Sequence, residues 1–176
     1  MSQSGLAECP RALVAAIQAK FCEQLGRAGH LISRLTDDEM DWTAPAPGAW
    51  PTGVLIGHLL DRVAGICAVL AAAAPEQLAH FDQLRTLPVN HRCPPAEALN
   101  RLRLYGAHIE EGFALLTDTD LGRLLPTVFV PAGEPILTLL LGNLEHLINH
   151  KHQLFTYSKL MGVDVNTGDL YQFRGE

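Results

Sequence analysis

The sequence predicts an all-α protein: a four-helix bundle of up-down type, with a longer connection between helices 2 and 3 and an irregular C-terminal tail. Three observations carry this expectation. Apolar residues recur at helical spacing in four long segments. The prolines gather at the ends of those segments or between them. No repeat or change of composition divides the 176 residues, so one domain is expected over 1–176, with its core at about 10–163 and a tail at 164–176. Four amphipathic helices can bury their stripes only against one another, and a bundle is the simplest way to do so.

The first helix is expected from about Pro10 to Leu35, with Val14, Ile17, Phe21, Ala28, Ile32 and Leu35 on one stripe. It gives way to "TDDEMDWTAPAPGAWP", where Pro45, Pro47, Gly48 and Pro51 forbid a continuous helix. The second starts near Pro51 or Thr52, proline being suited to a first turn, and continues to about Pro75. A polar connection, "PEQLAHFDQLRTLPVNHRCPP", follows. The third begins around Pro95, with Leu99, Leu102, Tyr105, Ile109, Phe113 and Leu116 aligned. Between Pro126 and Pro131, Thr127 to Val130 read as a short extended piece. The fourth opens near Glu134 or Pro135 and ends at Met161, with Gly162 as its C-cap. In the tail, Tyr171 and Phe173 are expected to pack on the protein's own surface or on a partner subunit.

Composition narrows the function. Hydrophobic residues make up 48% and charged residues 18%, a globular balance. A net charge of −6, with pI near 5.7 and no basic run, speaks against nucleic acid. The N-terminus lacks a secretory pattern, and "VAGICAVLAAAAP" is too short and alanine-rich to span a bilayer, so no membrane partner is expected. Cys9, Cys22, Cys67 and Cys93 stand far apart and read as reduced thiols of a cytoplasmic protein. Nothing near Cys67 in sequence would activate it as a nucleophile.

The chemistry concentrates in "LEHLINHKHQLFTYSKLMG", which holds His146, His150 and His152, three of the chain's eight histidines. Residues four apart share a helix face, so His146 and His150 form a pair at the edge of the apolar stripe, in line with Leu139 and Tyr157. His152 lies about 200° round the helix from His150 and joins the polar face of Glu145, Asn149, Thr156 and Lys159. Two imidazoles at this spacing can share a metal ion, and bundle cores hold such ions between facing helices. His58, set among Leu55, Ile56, Leu59 and Leu60, is the best third ligand. His30 and His108 fall off their apolar stripes, and His80 and His91 belong to the polar connection; these four read as solvated side chains. A lone histidine in an apolar helix is more often a hydrogen-bonded core residue than a ligand, and spacing alone does not bring His58 to the pair. Asp61 beside Arg62 reads as a surface charge pair.

Three motifs follow one another along the chain: "LTDDEMDWTAP", "PGAWPTGVLIGHLLD" and "EHLINHKHQLFTYSKLMG". In this order they resemble the DinB/YfiT-like superfamily of metal-binding four-helix-bundle proteins, over about Ala12 to Val163. The resemblance implies that His58, His146 and His150 form a three-histidine metal site. Two positions depart from the family pattern: His152 stands where a Gly is frequent, and Pro51 where Ser or Thr follows the Trp.

Three neutral imidazoles leave a divalent ion, zinc or nickel, with positions open to water or substrate, which suits catalysis better than a closed structural site. Resembled proteins include thiol S-transferases, thiol-dependent isomerases and proteins named as metal-dependent hydrolases. The expectation is therefore a metal-dependent enzyme acting on a small molecule, a transferase or a hydrolase. The alternative is a non-catalytic, metal-stabilised bundle or small-ligand binder. Asp61, Gln153 and Tyr157 are the polar residues nearest the ligands by helical spacing, and are the candidates for a general base, a proton shuttle or a residue orienting an imidazole. A homodimer is expected by analogy with the resembled bundles.

Overall fold

The structure, a computed structural model, describes residues 10–171. Four helices carry the chain: α1 (Ala12–Ser33), α2 (Thr52–Ala73), α3 (Pro95–Ala114) and α4 (Ile136–Leu160). Proline sits at the starts of three of them, at Pro51 before α2, at Pro95 inside the first turn of α3, and at Pro135 before α4. The last turn of α4 closes through Gly162, whose φ of +82° suits glycine, with the Val163 N–H donating to Ser158 O at 2.9 Å. The start of α1 is capped from elsewhere in the chain. Asp118 accepts from the backbone N–H groups of Leu13 and Val14, and Arg11 donates to the carbonyls of Phe113 and Leu116 at the end of α3.

Each of α1 and α2 packs against both α3 and α4. The core between them is apolar and continuous, from Val14, Phe21 and Ile32 through Leu55, Leu59 and Ile66 to Tyr105, Phe113, Leu140 and Leu154. Burying each such side chain contributes about 1.5–3 kcal/mol against the entropy of ordering the chain. Helix α2 is long and apolar enough to cross a bilayer, with a mean hydropathy of 1.8 over an 18-residue span within it. Half of that span is buried inside the bundle, and His58, Asp61 and Arg62 interrupt it, which is the pattern of a core helix.

The connections correct two expectations. Thr127 to Val130 is not an extended piece. The strands flank it instead, Leu124–Leu125 (β1) pairing antiparallel with Glu134–Pro135 (β2), and Val128 and Phe129 stand exposed between them. His108 is not solvated: it is buried because the 3-10 helix Ala79–Thr86 folds over it. The Phe81 ring lies 4.5 Å from its imidazole, Gln83 Nε2 is 3.2 Å from its Nε2, and its Nδ1 donates to Leu104 O. The tail returns to the bundle as far as Leu170, which is buried. Tyr171 is half exposed with the Lys151 ammonium over its ring, and Phe173 lies outside the described residues.

Candidate metal centre

Because α2 and α4 are neighbours, a residue in the first half of α2 can face one in the middle of α4. His58 meets His146 and His150 in this way. One ring nitrogen from each lies within 4.8 Å of the other two, and all three side chains are partly buried. The ring centroids are 4.6 Å apart for His58 and His150, 4.6 Å for His146 and His150, and 5.6 Å for His58 and His146. Trp50 forms a wall, its ring 4.8 Å from that of His58 and 6.2 Å from that of His150. His152 is exposed and outside the group, as its angle on the helix requires.

Hydrogen bonds decide which nitrogens are free. His58 Nδ1 is 2.9 Å from Asn90 Oδ1, and His150 Nδ1 is 3.1 Å from Gln153 Oε1. An amide oxygen only accepts, so each Nδ1 carries the proton and each Nε2 keeps its lone pair for a ligand. Burial pushes the pKa of His146 down, and the charges of His150, Arg62 and His58 push the same way. Burial also lowers that of His150, opposed by the Gln153 hydrogen bond. Neutral imidazole is the form that ligates, so these environments and tautomers fit a divalent cation.

The remaining candidates have definite places. Gln153 orients His150. Asp61 is not engaged with Arg62; its Oδ2 accepts from the Asn90 backbone N–H at 2.6 Å, while its buried Oδ1 has no hydrogen-bond partner. Tyr157 is buried, its ring 5.2 Å from that of Trp42 and its hydroxyl without a hydrogen-bond partner. Arg62 stands one turn beyond His58 and near enough to depress both α4 imidazoles. Its Nε is buried without a hydrogen-bond partner, and it forms no ion pair among the described residues.

A second group of ligand-type side chains, His91, Cys93 and Glu97, lies where the polar connection meets α3. Here the positive charge is already present. Arg101, 5% exposed, places Nη1 at 3.4 Å from His91 Nε2 and 3.7 Å from Glu97 Oε1. Burial pushes the Cys93 thiol up to about 12, with Glu97 adding to the shift. This is a neutralised structural cluster, and His91 is accordingly half-buried and paired rather than solvated. Cys67 is buried with its thiol pushed up to about 12 by desolvation, which leaves no thiolate for nucleophilic work.

Sequence reasoning missed Asn90, Arg62 and Lys151. Asn90 sits in a polar run that carries no periodicity, and Arg62 resembles any surface cation that follows an acid. Lys151 is 3% exposed, donating to Gln24 Oε1 at 2.8 Å and to Leu170 O at 2.9 Å. Its only signal was its position, directly after His150.

An open depression of about 370 Å³ lies on one face of α4, lined by Gly142, Glu145, His146, Asn149 and His150, so that two of the three histidines border solvent there. A larger one, about 450 Å³, lies among Ala74, Leu115, Asp120 and Arg123 and includes none of the three histidines.

Comparison with known proteins agrees with this architecture. No curated protein matches the chain. Among solved structures it is similar to a DinB-like protein of Bacillus subtilis, at 19% identity and TM-score 0.63, covering 84% of this chain and 92% of that one. A DinB-like protein of Bacillus cereus is similar at 17% identity and TM-score 0.64, covering 86% of this chain and 95% of that one. At such identities the likeness establishes the fold. The model of the DinB superfamily matches residues 23–154, well over half of the sequence, and the chain belongs to that superfamily.

Proposed function

We propose that the protein is a divalent-metal-dependent enzyme acting on a small molecule, of thiol S-transferase or hydrolase type, with His58, His146 and His150 as the ligands of one zinc or nickel ion. The observation that carries the reading is the convergence of three partly buried imidazoles from α2 and α4, in a superfamily that is metal-binding in general. Three protein ligands leave coordination positions free, where a structural site would close them. When bound, the ion supplies Lewis acidity toward an oxygen or thiol ligand.

The chain's own residues supply the rest. Asn90 and Gln153 hold two imidazoles by their Nδ1 atoms. The Trp50 ring lies edge-on against one side of His58. Arg62, one turn from His58, adds its charge to the surroundings of the α4 imidazoles, with Asp61 beside it in the chain and Glu145 on the adjoining surface.

The test is elemental analysis of untagged protein beside a His58→Ala, His146→Ala double variant. About one equivalent of zinc or nickel in the parent, lost in the variant, is expected. No metal in the parent after reconstitution with both ions overturns the reading. Turnover is then sought with acidic and neutral low-molecular-weight thiols and with hydrolysable esters and amides. A metal-loaded protein that turns over none of them favours the alternative, a non-catalytic, metal-stabilised bundle.

A further inference from the structure

We propose that Asn90 is a positioning residue for His58, delivered to it by a strap, Pro88–Cys93, that lies along α2. The inference rests on the reading of the three histidines as ligands and extends it to a segment in the connection between α2 and α3.

The strap is fitted to one face of the helix. Positions 53, 57 and 61 are four apart and so stand above one another. At the first, Gly53 O accepts from the Cys93 N–H at 3.0 Å. At the second, a Cβ on Gly57 would fall 1.9 Å from His91 O, so only glycine lets the strap come this close. At the third, Asp61 Oδ2 accepts from the Asn90 N–H at 2.6 Å. The strap therefore runs antiparallel to α2 and meets Asp61 at Asn90, whose φ of +48° is left-handed, a conformation asparagine tolerates better than most residues. That turn brings Oδ1 to 2.9 Å from His58 Nδ1.

The outer side of the strap is tied down as well. Arg101 donates to Pro88 O at 3.0 Å, His91 pairs with Glu97 at 3.1 Å, and Arg92 pairs with Asp41 at 2.7 Å. Asp61 thus acts on His58 through Asn90: it fixes the backbone whose side chain fixes the ring. An acceptor held at Nδ1 selects the Nδ1–H tautomer and aims Nε2 at the α4 pair, the task that outer hydrogen bonds perform for metal-ligating histidines.

Asn90→Gly separates this role from a merely structural one, because glycine keeps the left-handed backbone and the N–H to Asp61 while deleting the carboxamide. Two readouts are taken: zinc affinity by competition with a chelating dye, and the His58 tautomer in metal-free protein by ¹⁵N NMR. The expected result is a 10–100-fold loss of zinc affinity, with His58 shifting from Nδ1–H toward Nε2–H. Asn90→Asp, which keeps an acceptor at the same place, is expected to restore both. Parent-like affinity and tautomer in Asn90→Gly would overturn the proposal. If the parent takes up no zinc, the ligand reading fails separately, and the tautomer still decides whether Asn90 orients His58.

Discussion

Replacing glycine by alanine inside a helix ordinarily stabilises a protein by about 0.5–1 kcal/mol. At Gly57 the sign should reverse. The new Cβ would sit 1.9 Å from His91 O, a backbone atom that no rotamer change can remove. The strap must lift, releasing the Asn90 N–H from Asp61, the Cys93 N–H from Gly53 O, and the Asn90 amide from His58. At about 1 kcal/mol net for each bond, the loss is about 3 kcal/mol against about 1 kcal/mol gained from helix propensity. The balance is a destabilisation of about 2 kcal/mol, which for a chain of this length lowers Tm by about 4–8 °C. Circular-dichroism melts of metal-stripped protein measure it. Gly26→Ala is the control: it lies within α1 with nothing inside 4 Å of a built Cβ, and should raise Tm by about 2–4 °C. A Gly57→Ala variant that melts at or above the parent, with the control behaving normally, would refute the fitted contact between strap and helix.

Two further outcomes follow from buried charge and burial-shifted imidazoles. Lys151→Met should cost about 1–3 kcal/mol by leaving Gln24 Oε1 and Leu170 O without their donor, and should make the chain beyond Asp164 more sensitive to protease; a parent-like denaturant midpoint and digestion pattern would show that the ammonium does not hold the tail. In metal-free protein, His146 and His150 have folded pKa values below their ordinary 6.5, so the unfolded chain holds more protons between the two values. Their contribution to stability is complete above about pH 6.5 and is lost as pH falls through the folded values. Urea unfolding at a series of pH values reads this slope; a His146→Gln, His150→Gln variant should flatten it, and an equal slope would contradict the burial assigned to these rings.

The helices and the His146–His150 pair were legible because both depend on period, whereas the meeting of His58 with that pair was implied by the family resemblance and not by spacing. The α1 stripe of Val14, Ile17, Phe21, Ala28, Ile32 and Leu35 is buried throughout, and the turn-by-turn angle that paired His146 with His150 also put His152 outside. Period says nothing of what a connection will cover. His108 lies off its stripe and is buried because Phe81 folds onto it, and Lys151 is buried because the tail crosses α1 and α4. The polar character of "PVNHRCPP" suggested a solvated loop, yet its backbone lies against Gly57, which has no side chain to hold it off, and bonds to Gly53 O. The β1–β2 pair escaped for a related reason, since pairing belongs to two segments at once and Thr127–Val130 showed only one.

Trp50 gives this site an optical property. The chain has two tryptophans, and the indole of one lies 4.8 Å from His58 and 6.2 Å from His150, while the other, Trp42, packs edge-on against Tyr157. An indole this close to two imidazoles senses their charge state and anything that fixes their rings. The intrinsic fluorescence of the protein is therefore a reporter on its own histidines, with no dye attached, and Trp50→Phe supplies the blank.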